Sequence, residues 1–497
     1  MTDTEPPSGS SSGGGAGAGD PDPAAGSVPP SSAADEIHDG NLSREILRLA
    51  IPAALQNLLQ TAMFWVDTTM LASFAQSAFR DPELQAVPLA ALAVVGPIVW
   101  SLTVIATLTA VGATALVGRR IGEGRPDEAR EIVGTAAILS LAIGLVVVVP
   151  GTLGSDALVE ALLAISPRER VPGLAEAASA YLWWFALLFP FRALALTLEA
   201  ALRGAGDTKT PMFGGVVANI GNFATNAVLI FGLWGAPRLG VEGAGVGIAV
   251  ASVTEAAFLI FMLARGRSAR LEMRTADFVR FSRRWARDLI RVSLPALVDA
   301  VIFHVGFMVY QLAILSLDGT QIAAHRVAIT VQSAAFMPAA GFYAAAASLS
   351  GRLLGAGKAE LAVVASRRNA IFGTISMLPI VALFLLAAHP LALVIGQNPA
   401  VAEVAARCLR IGALEVPFLL ITESLRGTLR GAGETRQPVL VTLVGTWGVR
   451  VPLSWLLVRS LGWGLVGIWV TTVIDWTVRA IIAIGLVRAG GWRHRRV

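Results

Sequence analysis

Polar and ionisable side chains stand inside several long apolar segments of this chain. Asp67 lies in the run FWVDTTM, and Asn222 and Asn226 are spaced i, i+4 in a later apolar segment. On a helix, this spacing places the two asparagines on one face. At 1.5 Å per residue, Asp67 lies about 25 Å and Asn226 about 22 Å from the same side of the helices that carry them. A carboxylate and two carboxamides at one depth indicate a polar nest for a proton or a small cation, with a structural hydrogen-bond cluster as the alternative.

Other ionisable residues also fall within apolar segments and are candidates for an ion or substrate site. They are Glu255, Asp299, His304, Glu415 and Asp475. An ionisable side chain is costly inside a membrane, so its presence there favours a functional role. We expect Glu255 to face a cavity. Arg450 and Asp475 lie at mid-depth on consecutive segments, and we expect them to form a structural salt bridge.

The elements that must position these residues are long apolar helices. Of the 497 residues, 55% are hydrophobic and only 15% are charged, and the mean hydropathy is +0.67. Soluble domains carry about a quarter of their residues as charged side chains, and about 20 apolar residues suffice to cross a bilayer as a helix. The sequence therefore predicts an all-α polytopic membrane protein with about twelve transmembrane helices. Their approximate ranges are 49–74, 88–117, 131–152, 178–200, 211–233, 243–264, 289–316, 322–350, 366–388, 405–425, 438–458 and 465–487.

The basic residues are distributed unevenly between the connections of these helices. The even-numbered connections and the C-terminal tail are rich in arginine, whereas the odd-numbered connections contain few. By the positive-inside rule, this asymmetry places both termini in the cytoplasm and indicates a multi-pass protein of the cell membrane. It also explains the sequence pI of about 10.1 without a nucleic-acid partner, because the central arginine run acts as an orientation signal.

The chain divides by composition into five parts. Residues 1–42 are rich in Ser, Gly, Pro and Ala, and we expect a disordered cytoplasmic tail there rather than a signal peptide. The apolar helices fill an N-terminal lobe, 43–264, and a C-terminal lobe, 289–488. Residues 265–288 form an arginine-rich cytoplasmic linker between the lobes, and 489–497 form a basic cytoplasmic tail.

The two lobes are copies of one another. The decapeptide LRGAGDTKTP at 202–211 returns as LRGAGETRQP at 429–438, and Gly118 in VGRRIGEG aligns with Gly351 in SGRLLGAG. The anchors keep the same order in both halves, which indicates a direct duplication of six helices. Because both halves begin on the same side of the membrane, the repeat is parallel, with its axis along the membrane normal. Such repeats are typical of transporters with a central site between two bundles.

Both copies of the decapeptide are expected to connect the fourth and fifth helices of a lobe. The glycines permit a tight turn, and each proline falls in the first turn of the next helix, where a missing N–H costs little. The arginines are expected to close the preceding helix with their charge facing the cytoplasm. These hinge or connector residues are Arg203, Gly204, Gly206, Pro211, Arg430, Gly431, Gly433 and Pro438. Direct contact with a substrate is the alternative, and a phosphate-binding P-loop is disfavoured because its Lys-Ser/Thr spacing is absent.

Several ordered motifs resemble those of multidrug and toxic compound extrusion transporters. They are the extended decapeptides LRGAGDTKTPM and LRGAGETRQPV, the pair VGRRIGEG and SGRLLGAG, and the stretches IAAH, FMPAAGF and VRVPLSW. The resemblance covers about residues 45–490. It implies a twelve-helix, V-shaped fold of two lobes that exports organic, often cationic compounds in exchange for protons or sodium.

The resemblance also implies roles for individual residues. Asp67 matches the aspartate of the family's first helix, which is the proposed coupling-ion residue, and Asn222 matches an asparagine of the same cluster. Asn226 stands where many members have aspartate, and Ile248 stands where a threonine is common. Both departures remove oxygen ligands or charge from a sodium site. They therefore favour protons over sodium as the coupling ion.

Some members of the family carry a functional glutamate on the seventh helix, and Asp299 and His304 both fall near that position. The interpretation that follows is a secondary active antiporter, without a cofactor and functional as a monomer, that exports small organic molecules. A flippase for lipid-linked precursors is one alternative. It would need a basic central cavity, for which Arg192 and Arg450 are the few candidates. A membrane-embedded enzyme is disfavoured, because the sequence has neither an HExxH metal-ligand pair nor a recognisable Ser/His/Asp nucleophile site.

Overall fold

A computed structural model of the chain describes residues 37–165, 171–266 and 271–495. The described residues form helices and short connections, without a β-strand. A segment inside a bilayer must satisfy its own backbone N–H and C=O groups, and the α-helix does so within one segment. The all-α fold predicted from the sequence is confirmed. Most of the predicted disordered tail, the linker residues 267–270 and the last two residues lie outside the described part of the chain.

The first lobe makes six crossings. Its helices are α1 (Leu42–Ala78), α2 (Pro82–Ile105), α3 (Thr107–Gly122), α4 (Pro126–Leu153), α5 (Ser155–Ile165), α6 (Leu174–Leu187), α7 (Phe189–Ala205), α8 (Lys209–Phe231) and α9 (Val241–Ala264). Helices α2 and α3 continue as one apolar span, and α6 and α7 form a span that bends by 54°. The short helix α5 follows the third crossing.

The second lobe repeats this order. Its helices are α10 (Arg283–Leu315), α11 (Gly319–Gly355), α12 (Ala359–Leu386), α13 (Ala388–Gly396), α14 (Pro399–Ala413), α15 (Val416–Gly431), α16 (Arg436–Leu443), α17 (Val451–Trp455) and α18 (Gly464–Ala489). Two π-helical turns, Val444–Arg450 and Leu456–Ser460, follow α16 and α17, so that Arg436–Ser460 is one span. Helices α14 and α15 correspond to α6 and α7 of the first lobe.

The fourth crossing of each lobe is broken, and the break has the same origin in both. Pro190 is the second residue of α7, and Pro417 is the second residue of α15. A proline has no backbone N–H to donate to the preceding turn, so the helix before it ends and the chain bends. In the described residues, ten spans are long and apolar enough to cross a bilayer, and the pair α6 and α7 is an eleventh. The pair α14 and α15 takes the remaining place in the predicted twelve-helix repeat.

The two lobes pack together at the end of the molecule that carries both termini. There Arg352 of α11 donates a hydrogen bond to Glu45 of α1 at 3.1 Å. The backbone N–H of Gly112 in α3 donates to the hydroxyl of Ser293 in α10 at 2.8 Å. Small residues let the backbones of the two lobes come close, so a buried polar side chain can reach across the boundary.

Residues 37–41 precede α1 and pack against the second lobe. Ile37 is 2% exposed, and its carbonyl oxygen accepts a hydrogen bond from Lys358 at 3.3 Å. Asp39 pairs with Arg368 at 2.8 Å. These last residues of the segment that the sequence assigns to a disordered tail are therefore ordered, because Ile37 contributes to the apolar core of the second lobe.

Candidate functional site

Three polar side chains from two helices of the first lobe meet in the interior. Asn226 Nδ2 donates to Asp67 Oδ1 at 2.6 Å and to Asn222 Oδ1 at 3.2 Å. Asp67 is only 4% exposed, and both asparagines are fully buried. The i, i+4 spacing puts the asparagines on one face of α8, and the packing of α1 against α8 brings Asp67 to them. The structure thus unites the three side chains that the sequence groups into a polar nest.

Helix α9 closes this nest with a glycine. A Cβ at Gly247 would overlap Asn226 Oδ1, so a residue without a side chain lets α9 approach α8 here. Ile248, the next residue, packs against apolar side chains. Neither position supplies a side-chain oxygen to the nest. Hard cations need several oxygen ligands to replace their hydration shell, whereas one carboxyl group can bind a proton.

Asp67 differs in its partners from most of the other buried acidic residues. Among the described residues, no Lys, Arg or His forms an ion pair with Asp67. By contrast, Glu255 pairs with Arg192 at 3.0 Å, and Asp475 pairs with Arg450 at 2.7 Å. A buried carboxylate without a positive partner is costly, and protonation removes that cost. This arrangement suits a carboxyl group that exchanges a proton.

Two arginines hold Asp475 in the second lobe. Arg450 Nε donates to one carboxylate oxygen at 2.7 Å, and Arg479 Nε donates to the other at 2.6 Å. Arg479 also donates to the hydroxyl of Thr446 at 2.7 Å. The expected contact between Arg450 and Asp475 is present. Arg479 was missed, although its i, i+4 spacing from Asp475 on α18 could have revealed it.

Asp299 lies between two arginines of α15. Arg426 Nη2 donates to Asp299 Oδ2 at 2.6 Å, and Arg430 Nη2 donates to the same oxygen. Arg426 also donates to Glu423 at 2.6 Å. Of the two sequence candidates on α10, Asp299 therefore belongs to a buried charge cluster.

His304 and Glu415 lie in different places. His304 Nε2 is 3.2 Å from the hydroxyl of Ser101 in α2, and its ring lies 4.3 Å from that of Trp100. Glu415, at the break between α14 and α15, accepts a hydrogen bond from the amide of Gln332 in α11. Glu415 also lies close enough to Arg450 and Asp475 to interact with both, so the structure groups Glu415 with Asp475, whereas His304 lies apart beside α2.

A cavity of about 370 Å³ lies between the lobes, bordered by α1, α3, α7, α11 and α15. This volume is within the range of sites for small organic molecules. Two carboxylates and two guanidinium groups border the cavity, so their formal charges balance. Its polar lining residues are Gln56, Asn57, Gln60, Thr107, Thr114, Glu199, Arg203, Tyr343, Glu423 and Arg430.

The arginines of the two decapeptides point into this cavity. Arg203 Nη1 donates to Glu199 Oε2 at 3.0 Å and to Gln56 Oε1 at 3.2 Å. Arg430 Nη1 donates to the hydroxyl of Tyr343 at 3.1 Å. Both guanidinium groups thus lie at the wall of the cavity, rather than free at the ends of α7 and α15. Arg203 is held there by Glu199, one turn earlier in α7. Arg430 is held by Asp299 of α10 and Tyr343 of α11.

The sequence matches the family model described as MatE over residues 52–228 and 295–456. These two stretches fall on the two copies of the internal repeat. The chain belongs to the MatE family. It is therefore an efflux transporter of the multidrug and toxic compound extrusion type, as the motifs predict.

The chain is similar to named members over most of its length. It is 25% identical over 464 residues to the probable multidrug resistance protein NorM of Thermotoga maritima, covering 92% of this chain and 94% of that protein. It is 29% identical over 420 residues to the multidrug resistance protein PmpM of Pseudomonas aeruginosa, covering 83% of each. The solved structure of a MOP superfamily transporter from Pyrococcus furiosus superimposes with a TM-score of 0.80 at 21% identity, over 91% of this chain and 97% of that chain. At this identity the likeness shows the fold.

In this MatE transporter, each decapeptide ends one helix and begins the next, as the sequence predicts. Gly206 and Gly433 follow the first helix with φ angles of +89° and +80°, a region that favours glycine. The acidic residue after each of these glycines accepts hydrogen bonds from the first backbone N–H groups of the next helix. Pro211 and Pro438 are the third residues of α8 and α16.

The first glycine of each decapeptide packs between helices, whereas the sequence analysis assigns it to a tight turn. Gly204 lies inside α7, and a Cβ there would stand 2.6 Å from the carbonyl oxygen of Thr114 in α3. Gly431 ends α15, and a Cβ there would overlap the carbonyl oxygen of Ala347 in α11. Both are packing glycines between helices rather than turn residues.

Sequence reasoning missed several residues of the cavity in this MatE protein. Glu199 lies one helical turn before Arg203 in an apolar run, so the rule that singles out the other membrane acids applies to it as well. Glu423 was not singled out, and Arg430 was assigned to the connector, with direct substrate contact as the alternative; both lie towards the end of α15. Arg192 and Arg450, the two arginines that the sequence offers for a basic cavity, do not line it.

Proposed function

We propose that the protein is a secondary active antiporter that exports small organic, often cationic compounds from the cytoplasm in exchange for protons. The observation that carries this proposal is the carboxyl group of Asp67, which is buried against Asn226 without a cationic partner in the described part of the chain. Binding or loss of one proton switches the interior of the first lobe between neutral and charged. These two forms differ in stability in an apolar environment, so they can favour two conformations.

Exchange follows when the two conformations open to opposite sides. In the outward conformation, Asp67 takes a proton from the more acidic exterior. In the inward conformation it releases the proton to the cytoplasm, while the central cavity exchanges its cargo. Rocking of two bundles around a central site is the usual way in which repeat-built transporters alternate access.

The cargo is proposed from the cavity and from the names of the relatives. NorM of Thermotoga maritima and PmpM of Pseudomonas aeruginosa are both named as multidrug resistance proteins. The cavity of about 370 Å³ offers carboxylates, guanidinium groups, amides and one phenol. A cationic compound that enters can replace an arginine as the partner of Glu199 or Glu423.

We place both termini, and the end at which the lobes pack, on the cytoplasmic side of the cell membrane. The support is the excess of arginine in the connections at that end, which the positive-inside rule assigns to the cytoplasm. One chain contains both lobes and the cavity between them, so a monomer suffices for the proposed cycle. The cycle needs small-molecule cargo and the lipid bilayer, but neither a cofactor nor a nucleic acid.

Protons are preferred to sodium as the coupling ion for a reason of ligand chemistry. The nest has one carboxylate, since position 226 carries an amide instead of a second carboxylate. Helix α9 contributes no side-chain oxygen at Gly247 or Ile248. A proton needs only Asp67, whereas sodium would have to exchange its hydration shell for a poor set of ligands.

A flippase for lipid-linked precursors is the alternative among transporters, because Arg203 and Arg430 border the cavity and could bind an anionic headgroup. Both arginines already contact acidic side chains, however, and the charges that border the cavity balance. This balance favours organic cations or zwitterions over a polyanionic headgroup. NorM and PmpM are named as multidrug resistance proteins, so a membrane-embedded enzyme has no support from these names.

The proposal is tested with purified protein in liposomes, with each ion gradient imposed separately. Ethidium is the cargo probe, and its accumulation is followed by fluorescence. We expect a proton gradient in sodium-free buffer to drive accumulation, and a sodium gradient at equal pH to have no effect. Accumulation driven only by sodium would overturn proton coupling. Transport of a labelled lipid-linked sugar phosphate without transport of ethidium would favour the flippase.

A further inference from the structure

Four buried or half-buried charges from two helices form a chain beside the central cavity. Arg192 Nη1 lies 3.0 Å from Glu255 Oε2, and Arg203 Nη1 lies 3.0 Å from Glu199 Oε2. Between these two ion pairs, the carboxyl groups of Glu199 and Glu255 come within interaction range of each other, and the Oε1 atom of each is buried without a donor among the described residues. The order in space is therefore arginine, glutamate, glutamate, arginine.

The contact between the two carboxyl groups needs a proton. Two carboxylates are both acceptors, so a hydrogen bond between them forms only when one of them carries a proton. The second oxygens, Glu199 Oε1 and Glu255 Oε1, are buried and find no donor among the residues that the structure describes. Glu199 is 1% exposed and Glu255 is 2% exposed. One shared proton supplies the missing donor and removes the repulsion between two like charges.

The second lobe arranges its charges differently. There Arg426 pairs with both Glu423 and Asp299, and Arg430 pairs with the same oxygen of Asp299 as Arg426 does. Acids and arginines alternate in this cluster, and each carboxylate faces a guanidinium group. Because Glu423 and Asp299 contact arginines rather than each other, this cluster needs no shared proton. The carboxyl pair therefore distinguishes the first lobe from the second.

We propose that Glu199 and Glu255 form a second proton site in the first lobe, separate from Asp67, which holds one shared proton while the cavity is empty and releases it when a cation enters. This inference rests on the proposed export of organic cations. In addition to the proton that Asp67 carries, cargo and a second proton would then compete directly for Glu199 at the wall of the cavity.

The geometry gives the exchange its route. Glu199 and Arg203 border the cavity, and Glu255 lies behind them against Arg192. A cation that enters and contacts Glu199 takes over part of the role of Arg203. The added positive charge favours ionisation of both carboxyl groups, so the shared proton leaves through the cavity to water. One positive charge enters and one leaves, so the charge of the site is conserved.

The surroundings of the pair contain few other charges. The guanidinium groups that face it, Arg192 and Arg203, both lie on α7. Helix α1 presents the neutral amide of Gln56, and α8 approaches Glu255 with Gly214, which has no side chain. The titratable and charged groups across the cavity, on α11 and α15, are Tyr343, Glu423 and Arg430.

Infrared spectroscopy detects the shared proton directly, because a protonated carboxyl group has a C=O stretching band that a carboxylate lacks. The protein is the full chain with Asp67→Asn in lipid nanodiscs, so Asp67 cannot contribute. We expect a carboxylic acid band at neutral pH that decreases when Glu255→Gln is added. Glu199→Gln breaks the same shared bond and gives a second variant should Glu255→Gln fail to fold. Glu423→Gln is the matched control, and it should leave the band unchanged because Glu423 faces an arginine.

A proton-release assay tests the exchange with cargo. Tetraphenylphosphonium is added to the Asp67→Asn protein in weakly buffered solution, and a pH indicator records the protons set free. We expect one proton for each bound cation, and none after Glu255→Gln. The inference would be overturned if neither glutamate variant reduced the carboxylic acid band. It would also be overturned if the Asp67→Asn protein bound the cation without releasing a proton. Neither assay uses an ion gradient, and both use the Asp67→Asn protein, so their results do not depend on whether Asp67 carries the coupled proton. That role of Asp67 is tested separately, in the liposome assay.

Discussion

Gly118 of α3 and Gly351 of α11 face each other where the two lobes meet. A Cβ at Gly118 would lie 3.5 Å from the Cα of Gly351, and a Cβ at Gly351 would lie 3.4 Å from the Cα of Gly118. Each also lies against the carbonyl oxygen of a decapeptide glycine in its own lobe, Gly204 or Gly431, at 3.1 and 3.2 Å from the added Cβ. The residues that the repeat aligns are thus neighbours at its axis. The lobes meet here backbone to backbone.

A larger residue at this axis should impair the protein. We expect Gly118→Val to lower thermal stability by about 1–3 kcal/mol, the usual cost of overpacking, and to slow transport. The reason is that the nearest atoms belong to the backbone, which cannot turn away as a side chain can. Thermal unfolding in detergent and ethidium efflux measure the two effects. Gly96→Val in α2 is the control, because a Cβ there meets no atom within 4 Å. Unchanged stability and transport in Gly118→Val would contradict the role of the axis.

The packing glycines of the decapeptides should affect all cargo alike. Gly204→Val and Gly431→Val each place a side chain against a backbone carbonyl of the neighbouring helix, so we expect lower expression or slower efflux. Neither glycine borders the cavity, so the relative order of exported compounds should stay the same. An efflux panel of structurally different dyes measures this order, with Gly485→Val in open space as the control. Selective loss of one class of dye would show that these segments contact the substrate.

The charge cluster around Asp475 should be structural. We expect Asp475→Asn to destabilise the protein by about 3–5 kcal/mol, because it leaves two buried arginines without their anionic partner. Glu403→Gln breaks an exposed ion pair with Arg407, 62% exposed on both sides, and should cost about 0–1 kcal/mol. Thermal unfolding compares the two variants. A stable Asp475→Asn protein that exports without using a proton gradient would instead place Asp475 in the transport cycle.

The helices and the nest could be predicted because their signals are local. Apolar runs of about 20 residues define the crossings, and the i, i+4 spacing of Asn222 and Asn226 defines a face. Asp67 lies at a similar depth along its own helix, and this was enough to predict that it lies near the two asparagines. The breaks before Pro190 and Pro417 were not predicted, but they could have been, because a proline interrupts the helix within its own turn.

The cavity wall could not be predicted, because it depends on contacts between distant parts of the chain. The partners of Asp299 on α15 lie 127 and 131 residues away. Arg203 follows an apolar run near a helix end, which normally indicates a surface position. It turns inward because Gly204 packs on α3 and brings that helix end to the lobe boundary. Such packing appears only when both lobes are assembled.

The central claim is that Asp67 carries the coupled proton, and the most direct test is simultaneous measurement of ethidium and proton movement in sodium-free liposomes. Wild-type protein should move protons in exchange for ethidium. Asp67→Asn should still bind ethidium but move neither species against a gradient, because the amide keeps the packing and cannot exchange a proton. Glu242→Gln in α9, where the carboxylate accepts a bond from Trp184, is the matched control and should behave as wild type. Ethidium–proton exchange at the wild-type rate by Asp67→Asn would contradict the claim.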